Sequence, residues 1–160
     1  MSSTTSFTDN GDGTITTITN YGAHLMWEKK KPNGSGDVHE VGFVYSWSQP
    51  GPNATQPDGT AFTMFLRTLN EQSFANHSDW RLPTQNELLS IVDNSKYPSK
   101  DPWINPIFGP TMAAHYLTSE TFDIGPPTRV TTVRFGGPGM YGSTSALKVD
   151  EGFVRAVRNV

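Results

Sequence analysis

The segment HSDWRLPTQNELLSIVD, residues 77–93, constrains the fold more than any other part of the chain. Thr84 and Glu87 form the T-x-x-E pattern of a capping box, in which each side chain accepts a hydrogen bond from the other residue's backbone N–H. Pro83 stands directly before the cap, where it does not interrupt a helix. The segment therefore predicts a helix that begins after Thr84 and ends at Asp93–Ser95. Its buried face is predicted to consist of Leu88, Ile91 and Val92, widened by Leu89.

The residues before this helix are predicted to belong to the scaffold. Trp80 is expected to pack beneath the helix, and Trp27 and Trp47 are also expected in the core, because large aromatic side chains bury much apolar area. Arg81 is expected to form an ion pair or to bind backbone carbonyl groups rather than a ligand. The helix thus organises the core, and the ligand contacts are expected in the loops that follow it.

The rest of the chain predicts one further helix and several short strands. Apolar residues at helical spacing indicate a helix that starts near Thr60, capped by Asp58 or Thr60: Phe62, Phe65, Leu66 and Leu69. Alternating or β-rich runs predict strands in a hairpin over 7–19 and in the segments 23–31, 41–48, 115–122, 129–135, 146–149 and 153–160. The order indicates an α+β fold with two helices, short antiparallel strands and a long loop region. We expect residues 1–6 to form a polar leader and residues 7–160 to form a single domain.

The composition narrows the classes of function. The 160 residues include 15 Gly and 12 Pro, which suit a loop-rich domain. The lack of Cys excludes disulfides, thiolate metal sites and cysteine nucleophiles. A net charge of -3 offers no basic field to nucleic acid, and no apolar run is long enough for membrane insertion. The run Lys29–Lys31 is predicted to be a solvated strand end, with sulfate or phosphate binding as the alternative.

The chain carries no pattern typical of an enzyme. The four histidines lack metal-binding spacing, and neither G-x-S-x-G nor a phosphate-binding glycine loop occurs in a suitable context. The DNGDGT turn has no carboxylate at the first or last position of an EF-hand loop, so it predicts a hairpin turn. No cofactor is therefore expected. A looser calcium site, at Asp9 and Asp12 or at Asp150 and Glu151, is the open alternative.

Candidate ligand contacts lie between Asn94 and Ser145, because binding residues concentrate in loops. Stacking on a sugar ring is predicted for three aromatic residues, Trp103, Tyr116 and Tyr141. Hydrogen bonds to ligand hydroxyl groups are predicted for Asn105 and Glu120. Contacts with anionic groups are predicted for Arg129 and Arg134.

Several motifs, taken together, resemble one known family. FTDNGDGTITTITNYGAHLMWEK, FLRTLNEQSFANHSDWRLPTQNELLSIVD, INPIF, YLTSETF and GFVRAVR occur in the order typical of the Lcl C-terminal domain family, the C-terminal domain of bacterial collagen-like adhesins. The resemblance extends from Phe7 to Arg158. It implies a C-type-lectin-like fold, which is also remotely similar to the sulfatase-modifying, formylglycine-generating group. The catalysis of that group depends on cysteine or copper chemistry that a chain without Cys does not reproduce.

The resemblance also implies a place and a class of partner. Some relatives bind sulfated glycosaminoglycans and trimerise beneath a collagen-like stalk, so we expect a secreted or cell-surface module that binds a glycan or a glycosaminoglycan-like ligand. The expected function is non-enzymatic recognition in bacterial adhesion. The alternative is a structural module, such as a homotrimeric cap or a phage-fibre tip that recognises a protein receptor.

Overall fold

The computed structural model describes residues 5–19, 22–136 and 142–160. In these residues the strands are β1 (Ser6–Asp9), β2 (Thr14–Ile18), β3 (His24–Glu28), β4 (Tyr45–Ser46), β5 (His115–Thr121), β6 (Arg129–Arg134), β7 (Gly142–Leu147), β8 (Glu151–Gly152) and β9 (Val157–Asn159). The α-helices are α1 (Arg67–Glu71) and α2 (Gln85–Leu89), and a π-helical segment, Ala61–Leu66, runs into α1. The predicted mixed α+β class is confirmed at this level.

All the strands pair in antiparallel sheets. The first sheet has the order β1-β2-β3-β9, so the last strand of the chain pairs with the third. The second sheet consists of β4 and β8, and the third has the order β5-β6-β7. The predicted β1–β2 hairpin is confirmed, and Gly11 and Gly13 supply the positive φ values, 77° and 88°, that its tight turn requires. β1 begins at Ser6, the last residue that the sequence assigned to the leader.

The β5–β7 sheet separates two hydrophobic cores. Side chains alternate between the faces of a strand, so Leu117 and Val130 enter one core while Tyr116 and Val133 enter the other. The first core also holds Trp47, Phe65, Leu69 and Trp80, and the second holds Ile15, Trp27, Leu88, Ile91 and Phe108. The predicted core positions of Trp27, Trp47 and Trp80 are confirmed.

The first predicted helix forms, but it begins with π-helical hydrogen bonding. Phe65 and Leu69 are fully buried and Leu66 is almost so, as the apolar stripe predicted. The predicted cap by Asp58 or Thr60 is wrong, because Thr60 Oγ1 accepts from the Ser46 N–H at 2.9 Å and Asp58 Oδ1 accepts from the Gln49 N–H at 2.9 Å, and neither caps the helix. Thr60 therefore joins the start of the helix to β4 instead of capping it.

The capping box that opens α2 is confirmed. Thr84 Oγ1 accepts from the Glu87 N–H at 3.2 Å, and Glu87 Oε2 accepts from the Thr84 N–H at 2.7 Å. The helix ends at Leu89, earlier than predicted. The chain leaves the helix because Val92 forms an isolated β-bridge with Ile104. The backbone of the last predicted helical turn therefore pairs with the long loop instead of continuing the helix.

Arg81 is the structural arginine that the sequence predicts. Its two terminal nitrogens donate to both carboxylate oxygens of Glu87 at 2.8 Å, and one also donates to Asn159 at 2.5 Å. Burial raises the pKa of Glu87, but the Arg81 guanidinium and the Thr84 N–H outweigh burial and hold that pKa below its usual value. Arg81 thus ties the start of α2 to β9.

The predicted strand over 41–48 is mostly wrong. Only Tyr45 and Ser46 pair with β8, whereas residues 41–42 lie in a turn and residues 43–44 have no regular structure. Gly42 lies against the Asn33 side chain, so this part of the chain folds back on its own loop rather than extending. None of the described helices combines the length and apolar character that crossing a membrane requires.

Candidate functional site

Two of the predicted stacking residues are core residues. Trp103 is 2% exposed and its indole N–H donates to the Ser99 carbonyl at 3.0 Å. Tyr116 is 1% exposed, and its hydroxyl accepts from the Met112 N–H at 3.0 Å. Neither ring is accessible to a ligand in this structure. The prediction that Trp103 and Tyr116 stack on a sugar ring is therefore corrected, because both residues pack in the protein interior. Tyr141, the third predicted stacking residue, lies outside the described residues.

The two predicted anion-binding arginines do not form one site. Arg129 and Arg134 lie at opposite ends of β6, five residues apart, so their side chains leave opposite faces of the strand. Arg129 donates to Ser145, through both the side-chain and the carbonyl oxygen, and Arg134 donates to the Gly136 carbonyl. Each arginine therefore has its own local partner in the sheet.

The two predicted hydrogen-bonding residues are exposed but serve as caps. The Asn105 side-chain oxygen accepts from the Ile107 N–H at 3.0 Å and starts the turn Pro106–Phe108. Glu120 accepts from the Gln85 N–H at 2.7 Å, at the first residue of α2. Trp103, Tyr116 and Arg134 lie around Phe135 and Gly136, whereas Glu120 lies at the start of α2 and Arg129 at the other end of β6, so the predicted contacts do not form one exposed site.

A different set of residues lines a cavity of about 650 Å³, which we call the groove. Five short segments contribute to its wall: the hairpin turn 12–13, the side chains at 29 and 31, the loop 36–39, positions 68 and 72 in α1 and at its C-terminal cap, and Phe74. Three other cavities have volumes of about 270, 310 and 410 Å³. The groove is the strongest candidate site because segments distant in sequence converge on it.

A buried ionic cluster supports the groove. Glu28 is fully buried, and its carboxylate accepts from Lys30 Nζ at 2.8 Å, from His39 Nδ1 at 2.8 Å and from the Ala156 N–H at 3.0 Å. The prediction of a solvated lysine run is therefore wrong for Lys30, which is 4% exposed and bound to Glu28. The buried Arg155 lies beside the cluster and donates to the Glu28 carbonyl at 2.9 Å.

Burial and charge act in opposite directions on this cluster. Burial raises the pKa of Glu28, but the neighbouring Lys30 ammonium and the His39 hydrogen bond outweigh it and lower that pKa. Burial lowers the pKa of Lys30, and the attraction of Glu28 only partly compensates. Glu28 is therefore a carboxylate that two side chains and one backbone N–H keep ionised beneath the groove.

The turn at Phe74 closes one end of the groove with a strained backbone. Ser73, Ala75 and Asn76 have φ values of 48°, 52° and 66°, in the left-handed region that side chains other than glycine seldom adopt. The Phe74 ring packs against His39, with centroids 4.3 Å apart, and against Trp80 at 5.1 Å. Clusters of strained residues often occur at binding sites, and the packing of Phe74 holds this one in place.

The polar groups around the groove fall into two kinds. The lysines are paired, Lys29 with Asp9 at 2.7 Å and Lys31 with Asp37. The side chains of Thr68 and Gln72, one turn apart on α1, form no hydrogen bond with another described residue. The groove therefore presents neutral donors and acceptors beside ion pairs that are already satisfied.

Of the two predicted calcium alternatives, the pair Asp9 and Asp12 has protein partners. Asp9 accepts from the Gly11 N–H and from Lys29, and Asp12 accepts from the Thr14 N–H and hydroxyl. Within the ranges 5–19, 22–136 and 142–160, no group of three or more His, Asp or Glu side chains is arranged to hold a metal ion.

Sequence reasoning missed the groove because its residues carry no motif. Thr68 and Gln72 follow the helical spacing of i and i+4 beside the apolar stripe, a signal that the border of any solvated face would also give. His39 stands in a loop of turn-forming residues, 32–40, where nothing local indicates that Glu28 lies beside it. Only the pairing of β3 with β9 and the fold of this loop bring the cluster together.

One of the comparisons with known proteins identifies a family. Neither the curated proteins nor the solved structures include a match to this chain. The family model described as the Lcl C-terminal domain matches residues 16–158. The match begins within β2, after the hairpin turn of the groove, and ends within β9, so it includes the Glu28 cluster and the other four segments of the groove wall. The chain belongs to the Lcl C-terminal domain family.

Proposed function

We propose that this domain is a non-enzymatic binding module that recognises a glycan through the groove. The observation that carries the proposal is the pair of neutral side chains, Thr68 and Gln72, which have no described protein partner and line a cavity of about 650 Å³. Cavities of this size hold small ligands, and a ligand rich in hydroxyl groups matches a wall of amide, hydroxyl and charged groups. The family supplies a scaffold for this role but does not fix the ligand.

The charges of the groove favour an uncharged glycan over a sulfated one. Lys29 and Lys31 are already paired with carboxylates, so a sulfate would have to displace Asp9 or Asp37. The net charge of -3 also repels a polyanion at long range. We therefore propose a neutral glycan as the ligand and rank glycosaminoglycans below it.

A glycan array that carries both neutral and sulfated glycans tests this function. We expect neutral glycans to bind, with an affinity that changes little between about 50 and 500 mM salt, because screening acts on charged contacts. Binding confined to sulfated glycans and abolished by salt would replace the neutral ligand with a polyanion. Failure of every glycan to bind would refute glycan recognition by this domain.

We further infer a setting and a finer fold for the domain. A secreted or cell-surface location on a bacterium suits an adhesive module of this family. We propose that the fold is C-type-lectin-like, with remote similarity to the sulfatase-modifying group. The pairing of β3 with β9, two short helices and long connecting loops support this proposal. An experimental structure superposed on C-type-lectin domains tests it, and a different strand order would refute it.

An assembly role is the second candidate, because one end of the β5–β7 sheet exposes apolar side chains. Ile124 is 72% exposed in the β5–β6 connection, and Leu147 is 39% exposed opposite Arg129. β7 is also an edge strand of its sheet. A homotrimer or a protein receptor would cover such a surface. Light scattering at several concentrations distinguishes the candidates: a stable trimer supports assembly, and a monomer at all concentrations argues against it.

A further inference from the structure

The imidazole of His39 is held by one nitrogen and open at the other. Nδ1 lies 2.8 Å from the Glu28 carboxylate, and no hydrogen bond to Nε2 is present among the described residues. Arg155 Nε is the one buried side-chain nitrogen or oxygen without a partner in the described ranges, so His39 Nε2 is not sealed from solvent. His39 is nevertheless only 8% exposed and lines the groove. The open nitrogen therefore reaches solvent through the groove.

The Glu28 carboxylate determines which nitrogen of a neutral His39 carries the proton. An ionised carboxylate only accepts hydrogen bonds, so Nδ1 must be the N–H and Nε2 must be left with its lone pair. Lys30, bound to the same carboxylate oxygen at 2.8 Å, already balances the charge of Glu28. The His39 backbone N–H is bound to Asp37 and its ring to Phe74, so the imidazole has a fixed position.

We propose that His39 Nε2 is a specificity-determining acceptor, which binds a hydroxyl group of the ligand in the groove. This inference rests on the proposed function and deepens it by assigning a direction to one hydrogen bond. An aromatic nitrogen acceptor at a fixed position selects a donor on the ligand, and a ligand that offers only an acceptor there would leave both groups unpaired. Glu28 acts through His39 and is a positioning residue, comparable to the carboxylate that orients a histidine in other sites.

The tautomer of His39 can be measured without a ligand. In the full chain, uniformly labelled with ¹⁵N at pH 8, His39→Gln identifies the His39 signals among those of the four histidines. We expect a pyrrole-type Nδ1 and a pyridine-type Nε2. A proton on Nε2, either in the opposite tautomer or in the imidazolium, would overturn the proposal, because no acceptor would then face the groove.

A titration with a neutral glycan that binds on the array tests the ligand contact. At saturation we expect the Nε2 resonance to shift, and we expect His39→Phe, which keeps a ring against Phe74, to weaken binding by about tenfold. His24→Phe is the matched control, because His24 is exposed at the start of β3 and does not line the groove. The glycan affinity of this control variant should be unchanged. If His39→Phe fails to fold, the shift in the unmodified chain still decides the question.

The outcomes separate this inference from the proposed function. Glycan binding without an Nε2 shift would overturn the role of His39 alone and leave glycan recognition intact. Absence of any bound glycan would overturn glycan recognition and, with it, the acceptor role, even where the tautomer is as expected. An Nε2 shift together with the selective loss of affinity in His39→Phe supports both.

Discussion

At the scale of single residues, Arg81 has the role that its sequence context predicts. Its side chain is 37% exposed and binds Glu87, which is 19% exposed, so solvent screens the ion pair. We expect Arg81→Ala to lower the free energy of unfolding by about 1 kcal/mol and to leave glycan affinity unchanged. Arg81→Lys keeps the charge but lacks the planar fork, so it should recover only part of the loss. Thermal melting and glycan titration of both variants test this, and a loss of affinity without a loss of stability would contradict it.

Glu28 was absent from the predicted functional residues, yet the structure makes it the most heavily bound carboxylate of the groove region. Its position between an apolar strand and a lysine run indicates an exposed strand end. Burial follows only from tertiary contacts with His39 and the backbone of Ala156, which are 11 and 128 residues away. Contacts of this kind leave no periodic trace in a sequence, so a local reading of the chain cannot find them.

Replacement of Glu28 should be among the most destabilising polar changes in this chain. Glu28→Gln leaves the buried Lys30 ammonium without a carboxylate, and breaking a buried pair costs about 3–5 kcal/mol. The double variant Glu28→Gln/Lys30→Met removes both charges and should recover a large part of that loss. Urea unfolding of the single and double variants measures the difference. Equal stability of the two variants would show that the unpaired Lys30 ammonium is not what destabilises Glu28→Gln.

At the scale of elements, the two helices were predictable because their signals are local. The capping box and the i, i+3, i+4 stripe depend on residues within two turns of each other, and both correctly locate the start of α2 and the buried side of α1. The end of α2 was not predictable, because the β-bridge of Val92 to Ile104 depends on the path of a distant loop. The π-helical start of the first helix has no sequence signal that we can name.

The turn at Phe74 is an element whose strain can be tested. Ala75 has a φ of 52°, which costs an L-residue about 1–2 kcal/mol more than glycine. Glycine loses more chain entropy on folding, so we expect Ala75→Gly to raise the free energy of unfolding by about 0.5–1 kcal/mol. Ala113→Gly is the matched control at a residue without positive φ, and it should lower stability. Chemical denaturation measures both, and destabilisation by Ala75→Gly would argue against the left-handed turn.

At the scale of the whole molecule, the α+β class and the order of strands and helices along the chain could be predicted, but the sheet pairing of β3 with β9 and the site could not. Trp103 and Tyr116 stand in a long, loop-rich stretch of sequence, which favours exposure, whereas the structure folds that stretch back over the second core. Tyr116 lies on β5 with its ring 4.9 Å from that of Phe135. The loop-rich sequence therefore predicted exposed ligand contacts at positions where the structure has core residues.

The molecule as a whole should lose stability in acid. Glu28 and Glu87 have pKa values lowered in the folded state, so the unfolded chain binds their protons first as the pH falls. The stability that they contribute is complete above the unfolded pKa of about 4.3 and is lost as the pH falls through their folded values. Urea unfolding from pH 7 to pH 3 should show a decline that begins near pH 5 and is weaker in Glu87→Gln. Rising stability below pH 4 would contradict this account.

We propose that the groove, rather than the loops after α2, binds the ligand. Titration calorimetry with a neutral glycan selected on the array tests this proposal. The variant Gln72→Trp fills the groove from an exposed position, and Arg134→Ala is the control at a contact that the sequence predicted. We predict that Gln72→Trp abolishes binding while its melting temperature stays near that of the unmodified chain, and that Arg134→Ala binds normally. Normal binding by Gln72→Trp together with loss of binding in Arg134→Ala would contradict the claim.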